Sequence, residues 1–455
     1  MIKKVLIANR GEIAVRIIRA CKEMGIETVA VYSKADSKSL HKELASEAVC
    51  IGEATAKDSY LNMESILSAA CLTGCDAIHP GFGFLSESPK FAELTQKCGL
   101  IFIGPNKTVM EQMGNKSEAI KMMREAGVSV VPGSFGAVGD VSLGKKLAIK
   151  IGFPVLIKAS AGGGGKGIRL VKDESEFTKL FKEAKEEALK FFGNGELYIE
   201  KFIENPKHIE VQVICDKFKN VVHLYERDCS IQRRKQKMLE ESPCQSISKE
   251  LKEKLYQDAI KACKKVNYDS VGTIEFIVDK NQNHYFIEMN TRVQVEHPVT
   301  EMVTGVDIIK TMIKVADGQP LPFKQEDIKL NGHAMECRIN AEDMYNDFRP
   351  NPGEITFLHT PGGKGVRIDS AIYTGYVIPP FYDSMLLKLI VFAPTRLECI
   401  RKMRASLEEL IVEGVKTTTE FHYMILHNPQ FIMGNYDTGF IDGFIKEFIE
   451  NGKSI

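Results

Sequence analysis

A chain of 455 residues exceeds what one hydrophobic core usually holds, so two or three packed units are expected. Lysine plus arginine equals aspartate plus glutamate at 60 each, which leaves no net field to draw the protein to nucleic acid or an anionic membrane surface; charge chemistry must be local. The apolar start ends at Asn9-Arg10-Gly11-Glu12, too short for a signal peptide, no run is apolar enough to span a bilayer, and the eleven cysteines, with Cys71 and Cys75 the one close pair, suit a cytosolic chain with reduced thiols rather than a disulfide framework or zinc site.

In chain order, Lys4 to Ala8 reads as a strand, Ile13 to Met24 as a helix, and Thr28 to Tyr32, Ala77 to His79 and Leu100 to Ile103 as further buried strands. That rhythm predicts a parallel α/β sheet, closed by Gly104-Pro105. The first turn lacks Gly-x-Gly-x-x-Gly, so a dinucleotide site there has no support. Asn115 followed by Glu118 is a capping-box pattern that opens a helix ending at Gly127. Lys116 then stands at the first helical position, where a cation opposes the helix dipole, and beside the glycine loop downstream a phosphate partner is favoured over solvent.

From Gly152 to about Lys201 a small unit is expected: the strand Val155 to Lys158, a loop, the strand Ile168 to Val171, and a helix with Phe177, Leu180, Phe181 and Ala184 on one face. The loop Ala159-Ser160-Ala161-Gly162-Gly163-Gly164-Gly165-Lys166-Gly167 exposes backbone N–H groups that can fold over phosphate, as a mobile flap rather than a Walker loop, which would need Ser or Thr and then a helix. Lys158 can reach the same phosphates, and Glu200-Lys201-Phe202-Ile203 reads as a hinge whose backbone can meet an adenine edge. The basic stretch Glu226 to Lys237 has no interleaved aromatics, so a small anion suits it better than nucleic acid. His208 and His297, judged singly, read as structural histidines.

The most informative stretch follows. Thr273 to Asp279, the turn Lys280 to Asn283, and His284 to Glu288 read as a hairpin, and a two-residue turn at Asn281-Gln282 puts Glu275 opposite Glu288. Two carboxylates so close call for a cation, most simply a divalent metal. If the run continues extended, Glu288, Asn290, Arg292, Gln294 and Glu296 share one face, a row suited to a hard metal and an oxyanion. From about Gly332 short strands and turns precede a helix around Leu397 to Leu410; no internal repeat is present.

Asn9 to Ala14, His79 to Glu87, the four-glycine loop, Gln232-Arg233-Arg234 and Glu288 through Pro298 together resemble the biotin carboxylase family, essentially end to end. The resemblance implies an α/β and α+β protein of three units: a Rossmann-like N-terminal unit at 1–114, an ATP-grasp unit at 115–330 with a lid at about 132–203, and a mixed α+β C-terminal unit at 331–446. It implies that ATP phosphorylates bicarbonate to carboxyphosphate, which releases CO2 beside biotin. Glu275, Glu288 and Asn290 would hold Mg²⁺ or Mn²⁺; Lys116, Lys158 and Gly162, Gly163, Gly164 and Gly165 would meet the phosphates; Glu200, Lys201, Ile203, His208 and Gln232 would hold adenine and ribose. Lys237, Arg292, Gln294 and the Val295 backbone would cradle bicarbonate, Glu296 would deprotonate it, and Arg338 would stabilise charge on biotin's ureido oxygen.

Two positions depart from the family pattern: Lys235 stands where His is common, a fixed cation at a nucleotide contact, and Phe82 where Tyr is frequent. With no Ala-Met-Lys-Met segment, the biotin carboxyl carrier protein and the carboxyltransferase are expected as separate polypeptides, alongside a homodimer of this chain in the cytoplasm. The carboxylated acceptor, acetyl-CoA as in fatty acid biosynthesis, propionyl-CoA or pyruvate, stays open. So do two rivals: an ATP-grasp ligase passing an acyl phosphate to an amine, and a non-catalytic ATP-binding regulatory subunit.

Overall fold

A computed structural model describes residues 1–134, 136–159 and 168–452. The strand Lys4–Ile7 buries Val5, Leu6 and Ile7 completely, which requires neighbours on both sides and layers on both faces. Glu27–Ser33 and Ala77–His79 flank it in parallel, and Glu47–Gly52 and Ile101–Phe102 complete a five-stranded parallel sheet. Parallel neighbours need a crossover, supplied first by the helix Gly11–Glu23, whose Ile13, Ala14, Ile17, Ile18 and Cys21 are buried. The predicted α/β rhythm is therefore present, with boundaries shifted by one or two residues.

A second, antiparallel sheet has Val155–Ala159 between Ile168–Val171 and Leu197–Lys201. The helices Val141–Ile151 and Glu174–Phe192 back it, and Phe177, Phe181, Ile157 and Ile199 form a core of its own. The glycine loop between its first two strands, Gly162 to Gly165 included, lies outside the described residues.

The largest sheet has eight antiparallel strands, in the order His284–Asn290, Val271–Val278, Lys207–Cys215, Val221–Arg233, Gln236–Ser242, His333–Asn340, Met385–Ala393 and Val366–Ser370. It runs unbroken from the middle of the chain into its last third. Alternation along Lys207–Cys215 places Ile209, Val211 and Val213 in the apolar core with Leu255 and Ala259 of the helix Lys249–Val266, leaving His208, Glu210 and Gln212 on the opposite face. Among the described residues no helix is long and apolar enough to cross a membrane.

Two local expectations need correction. The strand carrying Glu288 stops at Asn290; residues 291–296 turn away, and a helix starts at His297 with Pro298 in its first turn. The Thr291 N–H goes to Glu87 Oε1 at 3.1 Å instead of a strand neighbour, and proline is at home at a helix start, so the alternating pattern does not extend the strand. The hairpin turn also has three residues, closed by Asp279 N–H to Asn283 O at 2.9 Å with Gln282 at φ +64°. A register shift beside Glu275 offsets that extra residue, so Glu275 still faces Glu288.

Candidate active site

Register builds the site. Glu288 lies opposite Glu275, Glu275 opposite Glu210, and Glu210 opposite Arg227, so one row crosses four strands with three adjacent carboxylates. Like charges on neighbouring rungs repel and are tolerated only with counter-charge. The neighbouring hairpin delivers it: Lys237 Nζ lies 2.6 Å from Glu210 Oε2, 3.0 Å from Glu275 Oε1 and 2.6 Å from Glu296 Oε1. Arg227, fully buried, closes the inner end with Nε to Glu210 Oε1 at 2.5 Å, while Lys116 Nζ meets Glu288 Oε2 at 3.2 Å at the outer end.

The turn after Asn290 brings the remaining polar residues back to the same carboxylate. Asn290 Nδ2 and Gln294 Nε2 donate to Glu275 Oε1 at 2.8 and 2.9 Å, and His208 Nε2 lies 3.0 Å from Glu275 Oε2. Arg292 donates through Nη2 to Asn290 Oδ1 at 3.0 Å, through Nη1 to Gln294 Oε1 at 2.8 Å and through Nε to Glu87 Oε2 at 2.9 Å. The five residues expected on one strand face thus converge through a turn. Glu296 Oε2 accepts from Arg338 Nη2 at 2.9 Å, and Arg338 Nε donates to Glu240 Oε1 at 2.6 Å. Arg338 is an inward residue between two carboxylates.

These contacts fix charge states. Burial alone would raise the Glu275 carboxyl, but Lys237 and then His208 outweigh it and hold the group well below the usual carboxylate range. Glu296 behaves alike: burial opposes ionisation, and Lys237, Arg338 and Arg227 drive it far below. Burial disfavours the Lys237 ammonium, yet Glu210 and Glu296 push it well above an ordinary lysine. Glu240 goes the other way, raised to about 7 by burial, with Arg338 opposing and Glu296 reinforcing.

Three of the expected nucleotide residues, Lys158, Glu200 and Lys201, lie together on the three-stranded sheet. Lys158 is paired with Glu200, and Lys201 Nζ donates to Gly152 O and Phe153 O at 2.8 Å each. The Lys201 N–H goes to Pro132 O at 2.8 Å, so a nucleotide edge would have to be read by other backbone groups of 200–203, such as those of Ile203. His208 stands against Glu275 rather than with this group. Gln232 pairs with Lys237 across the hairpin, and Lys235 is exposed at its tip at φ +67°. Phe82 is half-buried and packs with the core beneath the helix Gly11–Glu23.

Glu275 and Glu288, facing each other, and Asn290, two positions along the same strand, offer two carboxylates and an amide oxygen, a hard-oxygen set that fits Mg²⁺ or Mn²⁺ together with phosphate. Glu210 and Glu240 escaped the sequence reading, and Glu87 and Arg227 fell inside stretches it singled out without being given a role. Glu210 carried a signal, since His208, Glu210 and Gln212 alternate with Ile209 and Val211 in a run that ends fully buried.

Three families match in succession: "Biotin carboxylase, N-terminal domain" over residues 1–110, "Carbamoyl-phosphate synthase L chain, ATP binding domain" over 115–324, and "Biotin carboxylase C-terminal domain" over 336–443. Biotin carboxylase 1 of Bacillus subtilis is 54% identical over 445 residues, 98% of this chain and 99% of that protein. A Campylobacter jejuni biotin carboxylase, solved with a β,γ-ATP ligand, superposes with a TM-score of 0.91 at 51% identity, covering 97% of this chain and 99% of that one. The biotin carboxylase domain dimer of Hydrogenobacter thermophilus 2-oxoglutarate carboxylase, solved with MgADP, ADP and bicarbonate, gives 0.90 at 50% identity, covering 97% and 98%.

Proposed function

The chain belongs to the biotin carboxylase family, an ATP-grasp ligase that carboxylates biotin, and from that premise we propose that the charged row on its eight-stranded sheet is where ATP, bicarbonate and biotin meet. One observation carries the reading: Lys237 contacts Glu210, Glu275 and Glu296 together, which sets a metal-type carboxylate pair beside an ionised base and two arginines. The two rival readings are not favoured by relatives that match over the full length at half identity.

Glu275, Glu288 and Asn290 would hold Mg²⁺ or Mn²⁺, which when bound supplies charge neutralisation for the transferring phosphoryl group. Lys116, Lys158 and the loop from Gly162 to Gly165 neutralise the phosphates; Glu200, Lys201, Ile203, His208 and Gln232 hold adenine and ribose, with Lys235 at the rim. Arg292, Gln294, Lys237 and the Val295 N–H bind bicarbonate, for which a planar guanidinium fork with flanking donors is the matching shape. Glu296 is ionised and can accept the bicarbonate proton as the oxygen attacks the γ-phosphorus and ADP leaves; carboxyphosphate then splits to CO2 and phosphate. Arg338, half-buried and held charged between Glu240 and Glu296, stabilises the negative charge that develops on biotin's ureido oxygen.

The proposal includes units at 1–114, 115–330 and 331–446, a homodimer, and work with a biotin carboxyl carrier protein and a carboxyltransferase. The dimer rests on the Hydrogenobacter domain. Eleven free cysteines suit a reducing, cytoplasmic setting. The test is ADP release with Mg²⁺ and bicarbonate, with and without free biotin, for wild type, Lys237→Ala and Arg338→Ala. Biotin-stimulated, bicarbonate-dependent release weakened by both substitutions is expected; tight ATP binding without turnover, even with a biotinylated carrier, would overturn it.

A further inference from the structure

The strand Met385–Ala393 is apolar from Met385 to Val391 except at Lys388, which is fully buried. A cation so placed must be paired or neutralised. Lys388 Nζ lies 3.1 Å from Glu12 Oε1 and 3.9 Å from Asp369 Oδ2, and it donates to the Val295 carbonyl at 2.8 Å. Glu12 belongs to the N-terminal helix Gly11–Glu23, Asp369 to the neighbouring strand directly opposite, and Val295 to the turn between Asn290 and His297. One ammonium therefore joins three elements at the back of the catalytic turn. Glu12, Glu336 and Asp369 outweigh the burial that disfavours it and keep it protonated.

The preceding peptide is held as well. His297 Nδ1 lies 2.8 Å from the Gln294 carbonyl, and burial with Lys388, Arg16 and Arg367 nearby keeps the ring neutral, so Nδ1 carries the donated hydrogen. In a trans peptide the N–H points opposite to the carbonyl, so fixing Gln294 C=O aims the Val295 N–H away from His297. Fixing Val295 C=O likewise sets the peptide that leads into Glu296.

We propose that Lys388 is a positioning residue for bicarbonate: by gripping the Val295 carbonyl from behind, it sets the peptide leading into Glu296 and, together with His297 on the Gln294 carbonyl, holds the turn that places the Val295 N–H and the Glu296 carboxylate. This rests on the reading of Arg292, Gln294, Val295 and Glu296 as the bicarbonate site. Two variants test it in the full chain: Lys388→Met combined with Glu12→Gln, which removes the ion pair as a unit, and Lys388→Arg, which keeps the charge but changes the reach.

The double variant should raise the bicarbonate KM about tenfold while the ATP KM stays within about twofold, because misplacement of a binding group acts on the ligand it meets. Lys388→Arg should fall between the double variant and wild type, and it decides the matter if the double variant does not fold. Arg292→Ala serves as control. If Arg292→Ala leaves the bicarbonate KM unchanged, the site reading itself fails; if it raises that KM while the Lys388 variants do not, or if these raise both KM values together, the positioning role is overturned.

Discussion

On the eight-stranded sheet Lys237 holds three carboxylates, the least buried of them only 8% exposed at its side chain, whereas on the three-stranded sheet Lys158 has one acidic partner, Glu200, with side chains 24% and 16% exposed. The first arrangement is mutually dependent: three neighbouring strands carry like charges in one row, and each is tolerable because the cations are in place. The second is a local pair on a sheet with its own apolar core, and a phosphate can replace the glutamate at modest cost. On the proposed function, the first is a preorganised anion site and the second a nucleotide site whose contacts are exchanged on binding.

Substitutions should expose that difference. Lys237→Ala should be the most damaging, lowering unfolding free energy by about 3–5 kcal/mol, since one lost partner leaves buried charge uncompensated; denaturant unfolding checks it. Arg338→Ala should lower kcat by about 10²–10³ with a nearly unchanged ATP KM, the scale of a lost charge-stabilising donor.

Acidification should also separate the two regions. Glu275 and Glu296 are held below their ordinary value of about 4.5, so the unfolded chain binds protons first. The stability they contribute is complete above about 4.5 and is lost as pH falls from there toward their lowered folded values. Thermal midpoints should therefore drop on acidification, and less steeply in a Glu275→Gln variant that retains its fold. Lys158→Ala should change stability by under about 1 kcal/mol, the range of a partly exposed pair, while raising the ATP KM about tenfold. Lys235→His, at an exposed hairpin tip, should move that KM by less than about threefold.

Much of the sheet site was legible because it is local. The hairpin 273–290 set Glu275 opposite Glu288, even though the turn is longer than expected and a register shift compensates. The path beyond Asn290 was not legible: alternating polarity looked like strand, while Glu87, some 200 positions away, takes the Thr291 N–H and the helix begins at His297. Glu210, Glu240 and Lys388 were missed because each owes its role to partners on other strands. Lys388 nonetheless left a trace, a lone lysine in an apolar run, which a buried strand does not accept without a counter-charge. Lys158 stood out by its place before the glycine loop and Glu200 and Lys201 by theirs at the end of a later strand, but the pairing of Lys158 with Glu200 and the backbone contacts of Lys201 needed the fold.

The most direct test of the division between the two regions is a crossed pair of KM measurements on Arg292→Lys and Lys158→Met, each titrated with bicarbonate and with ATP. Arg292→Lys should raise the bicarbonate KM by about tenfold or more and spare ATP, because an ammonium cannot reproduce the guanidinium fork, and Lys158→Met should do the reverse. Equal rises in both constants for either variant would contradict the account.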